Sequence, residues 1–174
     1  MKKFLAGIII GMCLPLLAGF LFLILGGMPV ATKSAPLPFE RYLAGKALHA
    51  AIGKEADKPS PVPADETNLL AGAKVYQAQC SVCHGKLHQP DSAIAKGMFP
   101  PPPPLLSEEM GVTEDPVGET YWKVKNGIRL TGMPGFGGSL PDTEMWQVSQ
   151  LLRTVDKLPE SVKKVLNPSP KAEN

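Results

Sequence analysis

Two thiols and an imidazole stand together at Cys80-Ser81-Val82-Cys83-His84, a spacing that few chemistries use. A Cys-x-x-Cys pair alone serves as a redox dithiol or as half of a zinc site, but the third and last cysteine is Cys13, so no second pair exists to complete a zinc site. A histidine directly after the second cysteine turns the pattern into the attachment sequence for c-type haem. In that chemistry the thiols of Cys80 and Cys83 add across two vinyl groups as thioethers. The short turn then places His84 to ligate the iron from the proximal side.

These side chains need elements to hold them. Asp65-Glu66-Thr67-Asn68 supplies capping groups, and Leu69, Ala73, Tyr76 and Cys80 fall along one side of a predicted helix over 69–79, which puts the haem motif at its C-terminal end. Beyond His84 the stretch Gly85 to Gly97 is polar and irregular, and His88 within it reads as a loop histidine. The run Phe99-Pro100-Pro101-Pro102-Pro103-Pro104-Leu105-Leu106 reads on its own as a polyproline spacer or recognition segment. Thr120 to Arg129 reads as a helix stopped by Gly127, and Leu130-Thr131-Gly132-Met133-Pro134-Gly135-Phe136 follows as a tight loop. A last helix lies within 140–155, with Asp142 or a neighbour at its start and Met145, Val148, Leu151, Leu152 and Val155 at helical spacing. The polar, proline-containing tail from Pro159 to Asn174 is expected to be loose.

Taken in order, these features resemble class I cytochrome c over roughly residues 68–155. Gly72 and Tyr76 precede Cys80 at the offsets where that family has a close-packing glycine and an aromatic, both meeting the C-terminal helix. The resemblance implies that a proline carbonyl after the motif accepts the histidine Nδ1 proton and that a leucine covers the haem edge. Pro102, Pro103 and Pro104 are the candidates for the carbonyl, and Leu105 and Leu106 for the edge. Pro103 and Leu105 stand for them in the expected haem pocket, beside Tyr76 and the two possible propionate donors Trp122 and Arg129. The resemblance also makes Met133, set between glycine and proline, the sixth iron ligand, with Met98, Met110 and Met145 as apolar filler. Leu151 departs from the family pattern, where an aromatic is frequent, so the helix crossing is expected to lean on Trp146.

The N-terminal region differs in kind from the rest. After Lys2 and Lys3, the stretch Phe4 to Gly27 carries no charge and one proline, long enough to cross a hydrocarbon core of about 30 Å as a helix. A cleaved signal has a shorter apolar core, and Pro29 and Lys33 spoil the cleavage sites near Ala31 and Ala35, so an uncleaved anchor is favoured. Cys13 inside it reads as a small hydrophobe; the bulky Met12 before it argues against lipidation. Glu40 to Ile52 reads as a short amphipathic helix for a membrane surface, a partner subunit or simple packing, with His49 solvated or packed. Lys58-Pro59-Ser60-Pro61-Val62-Pro63 reads as a stiff tether. The expected organisation is an anchor at 1–27, a juxtamembrane helix and linker at 28–64, the haem domain at 65–158 and a tail at 159–174.

Composition limits the functions. A chain of 174 residues with 19 prolines and 17 glycines, less its apolar head, leaves one small loop-rich domain, which a covalent haem helps to stabilise by supplying apolar surface. A formal charge of +2 with interleaved acids and bases argues against nucleic acid. The fold class expected is mainly α, a class I cytochrome c domain around one covalent haem c, preceded by a single N-terminal transmembrane helix. With His84 and Met133 on iron no coordination position is open, which disfavours oxygen or peroxide chemistry and suits a high reduction potential. The expected function is a membrane-anchored one-electron carrier of a respiratory chain, with no catalytic residues and no small-molecule substrate, held in the bacterial inner membrane with the haem domain facing the periplasm. The alternative is a fixed cytochrome subunit of a nitric oxide reductase, a haem-copper oxidase or a dehydrogenase. A haem-based sensor or peroxidase would need a labile Met133.

Overall fold

The computed structural model describes residues 1–87, 89, 91–107 and 111–167. Their elements are helices, with no strand among the described residues: α1 Lys2–Ile24, α2 Glu40–Ile52, α3 Glu66–Val75, α4 Ser81–His84, α5 Ala93–Gly97, α6 Val117–Asn126, α7 Asp142–Arg153 and α8 Glu160–Leu166. The mainly helical class I cytochrome c fold expected from the sequence is the one observed. Two compact units divide the chain, Met1–Tyr42 and the rest from Leu43 onward.

The first unit contains α1, an uninterrupted apolar helix through Pro15 with no buried residue. It is long and apolar enough to cross a membrane, a test that signal sequences also pass.

The second unit is built on a crossing between α3 and α7. Asp65 caps α3 by accepting from the Asn68 backbone amide at 2.9 Å, which satisfies a donor that the helix itself leaves unpaired. Leu69, Ala73 and Tyr76 then face Met145, Val148, Leu151 and Leu152, all buried. Gly72 lets the backbones touch: a Cβ there would collide with the Gln147 carbonyl. The Gln147 side-chain amide also donates to Asn68 Oδ1 at 2.9 Å across the crossing. Trp146 is buried in the same core cluster as Leu69, Ala73 and Tyr76. It stacks on Tyr121 of α6 with ring centroids 3.8 Å apart and planes at 5°, so the aromatic contact joins α6 to α7 while Leu151, fully buried, fills the core as an aliphatic. The cap position of α7 is Pro141, whose side chain cannot accept a hydrogen bond, and the Asp142 carboxylate accepts instead from the Tyr121 hydroxyl and lies 3.4 Å from Lys125 Nζ.

The tail, expected to be loose, and the proline stretch, expected to be a stiff tether, are both held by contacts. Within the tail, Glu160–Leu166 folds into α8, whose Val162 and Leu166 join the core; the Gln77 amide donates to the Val165 carbonyl and the Ser161 hydroxyl to Glu66. At 3.6 residues per turn, Val162 and Leu166, four residues apart, share one face of an otherwise polar helix and dock it. The supposed tether is also fixed. A 3-10 turn over Gly53–Asp57 packs on the start of α6, where a Cβ on Gly118 would lie 2.5 Å from the Glu55 carbonyl oxygen and 2.9 Å from that of Lys58. Ile52 is buried there in the unit, and Gln150 donates to the Val62 carbonyl at 2.8 Å. The prolines remove backbone donors but leave carbonyls to be captured, and capture is what occurs.

Candidate functional site

The helix that begins as α3 changes register before the cysteines. Tyr76–Cys80 forms a π-helical turn, then α4 carries Ser81 to His84, and Gly85 at φ 82° ends the run. Ser81 Oγ returns to the Gln77 carbonyl at 2.9 Å. Tyr76 donates from its hydroxyl to the Gly85 carbonyl at 2.8 Å. Its ring is fully buried and burial raises its pKa, so the phenol stays a donor and ties down the far end of the motif. Tyr76 therefore supports the turn from behind and does not line the cleft in front of it.

That cleft is walled almost entirely by apolar atoms, the lining usual for cofactor sites. Cys80, Cys83, His84 and Met133 all open onto it. His84 Nδ1 lies 2.9 Å from the Pro103 carbonyl oxygen. A carbonyl only accepts, so Nδ1 carries the hydrogen and the lone pair of the neutral ring sits on Nε2. Burial lowers the His84 pKa, opposed by this hydrogen bond, and the neutral form is the one that binds metals. Burial, reinforced by Cys83, pushes the Cys80 thiol up to about 12. Redox dithiols show the opposite shift, so the dithiol use of Cys-x-x-Cys fits poorly. No group of three His, Cys, Asp or Glu side chains converges among the described residues, as a zinc site of protein ligands would require.

Met133 reaches the cleft from a loop fastened to the end of α6. Gly127 takes φ 68°, and a Cβ on it would lie 2.5 Å from the Gly135 nitrogen, so two glycines allow the loop to close on itself. Phe136 and Gly137 donate back to the carbonyls of Val124 and Lys125 at 2.9 and 3.0 Å. Thr131 Oγ1 accepts from the Met133 amide at 3.1 Å, and the Met133 carbonyl accepts from Ile128 at 3.2 Å.

Of the pocket residues expected from sequence, Pro103 and Leu105 line the cleft, whereas Leu106 faces a different cavity. Trp122 and Arg129 do not line it: Trp122 is half-buried on α6 and Arg129 is exposed. Both stand close in sequence to the Met133 loop, but the residues there that meet the cleft are Val124 of α6 and Ile128 just beyond its end. His49 is an exposed residue of α2, Met145 is core, and His88 and Met110 lie outside the described residues. Sequence reasoning missed Met98, Phe136 and Leu152 as wall residues. Only Met98 carried a signal, its place immediately before the proline run.

An apolar cleft with two thiols, an imidazole oriented through Nδ1 and a thioether fits a covalently bound haem. Residues 67–152 match the family model described as cytochrome C oxidase, cbb3-type, subunit III. The domain is a mono-haem c-type cytochrome. The cytochrome is 28% identical over 97 residues to the thiosulfate dehydrogenase of Stutzerimonas stutzeri (strain A1501), a match of 56% of this chain and 30% of that protein. The chain thus spans less than a third of that relative's length. A chain of the reducing HAO-like protein complex of Kuenenia stuttgartiensis superposes with a TM-score of 0.46 at 24% identity, covering 55% of this cytochrome and 46% of that chain. The cofactor is haem c, and the function that follows from the family match is electron transfer.

Proposed function

We propose that Cys80 and Cys83 carry the haem as thioethers, that His84 and Met133 ligate its iron, and that the chain is a membrane-anchored, non-catalytic cytochrome passing single electrons between redox proteins of a respiratory chain. When bound, the haem supplies one-electron exchange at iron. The protein's part is to hold and insulate it. Pro103 fixes the His84 ring with Nε2 free and the glycine-closed loop delivers the Met133 thioether, which together would close the coordination sphere, while the thioether and the apolar walls would favour a high potential. The observation that carries this reading is the opening of His84, held at 2.9 Å by the Pro103 carbonyl, and Met133 onto one cleft with both cysteines. Lys2 and Lys3 would stay in the cytoplasm and α1 would span the inner membrane, leaving the cytochrome domain in the periplasm, the side on which haem is attached. Mass spectrometry of the denatured mature protein tests both parts: the haem mass should remain on a peptide containing Cys80 and Cys83, and the segment 1–27 should be retained.

A second reading, a fixed subunit of a larger oxidoreductase, is favoured by one observation. The stretch read as the tether of a mobile shuttle, Lys58 to Pro63, is held within the second unit, the Lys58 carbonyl against Gly118 and the Val62 carbonyl bonded to Gln150. The description of the matching family as an oxidase subunit points the same way. Purification in mild detergent separates the two: a subunit leaves the column in fixed ratio with a catalytic chain, a shuttle alone.

A further inference from the structure

The cleft contains a second thioether, that of Met98. Met98 is half-buried and lines the same wall system as Met133. It closes α5, its amide donating to the Ala95 carbonyl at 3.2 Å. The N-terminal end of α5 is tied to the haem motif, because Ser92 Oγ caps the helix at the Ala95 amide, 3.1 Å, and donates to the Val82 carbonyl at 2.6 Å. Five residues past Met98, Pro103 accepts from His84. Residues 92–103 thus form a strap fastened at both ends to the Cys80–His84 turn, and Met98 is the point at which the strap meets the Met133 loop. The contact is at Gly132. The three heavy atoms nearest to where a Gly132 Cβ would stand are Cε, Sδ and Cγ of Met98, with Sδ at 3.5 Å.

We propose that Met98 is a positioning residue that clasps the loop at Gly132 and so keeps the Met133 thioether seated; this rests on the reading of Met133 as the sixth iron ligand. The loop's flanks are already pinned by Gly127, Gly135 and Thr131. The residue directly before Met133 has no side chain of its own, and the atoms closest to that empty position belong to Met98. An unbranched, adaptable side chain suits such a contact, since it fills the space above a glycine without fixing a single shape. Removing it leaves Gly132 unsupported and lets the loop swing outward more often. An outside ligand that needs the Met133 position then binds more tightly in proportion to the open fraction.

The test is titration of the oxidised full-length holoprotein with imidazole, read by its visible spectrum. Met98→Ala should tighten apparent imidazole binding about 10-fold, and Met98→Leu, which refills the volume without sulfur, should stay within about 3-fold of the parent. Gly132→Ala, whose methyl displaces the end of Met98, should also tighten binding, and it should add nothing in the Met98→Ala background, because the two changes break one contact. Parental imidazole affinity in Met98→Ala overturns the proposal. So does a Met98→Leu protein that behaves like Met98→Ala, or additive effects in the double variant. If Met98→Ala does not retain haem, Gly132→Ala decides alone, and an unchanged affinity there overturns the clasp. Failure of the ligand reading looks different: the near-infrared sulfur-to-iron band then survives Met133→Ala whatever Met98 does.

Discussion

His84 Nδ1 and the Pro103 carbonyl oxygen lie 2.9 Å apart, so a five-proline run and the haem motif nineteen residues before it act as one unit. The proline ring fixes φ at the residue whose carbonyl accepts, which keeps that acceptor aimed at the imidazole. A carbonyl held on Nδ1–H makes the opposite nitrogen a stronger donor to iron, and stronger donation favours the oxidised metal.

Pro103→Gly keeps the carbonyl but frees the backbone that aims it. The reduction potential of the holoprotein should therefore rise, with haem still covalently attached. A redox titration that finds the parental potential would remove this bond from the account.

The packing of residues 53–62 predicts where the folded unit starts. A chain beginning at Asp65 loses the buried Ile52, the turn under Gly118 and the Gln150 bond to Val62. Burial of one such aliphatic alone is worth about 1.5–3 kcal/mol, so this chain should be less stable by at least roughly 2 kcal/mol than one beginning at Leu43. Urea denaturation of the two holoproteins checks it, and equal midpoints would return the proline stretch to the role of a free tether.

Asp142 gives a pH dependence of known sign. The Tyr121 hydroxyl first, with the Lys125 ammonium adding to it, holds its carboxyl below the usual carboxylate range. A depressed folded-state value means stability that is present above the ordinary carboxylate pKa, about 3.9, and lost as the pH falls through the depressed value. Asp142→Asn should thus be less stable than the parent at pH 7, and the gap should narrow below pH ~4 as the parent carboxylate is protonated. The side chain is 60% exposed, so the gap is small and shrinks with added salt. A difference that stays constant down to pH ~2 would show that the charge is not its source.

Much of the site could be read from residues because it depends on local spacing. The Cys80–His84 turn, the helix before it, Gly72 at the crossing and the glycine-flanked Met133 are set by positions a few residues apart. What could not be read depends on contacts between segments distant in the chain. Nothing in Pro102-Pro103-Pro104 says which carbonyl reaches His84. That Trp146 stacks on Tyr121 of α6 is decided by packing. Val162 and Leu166 are spaced like any pair in a polar tail until α3 offers them a surface. The proline stretch follows the same rule: its composition describes a stiff tether, while the contacts that hold it come from Gly118 and Gln150, more than fifty residues away.

The account stands on Met133 as the distal iron ligand. The most direct measurement is the near-infrared spectrum of oxidised holoprotein, parent against Met133→Ala. The account predicts a sulfur-to-iron charge-transfer band in the parent and its complete loss in the variant, with haem still attached through Cys80 and Cys83. A band that persists in Met133→Ala and disappears instead in Met98→Ala would contradict it and make Met98 the ligand.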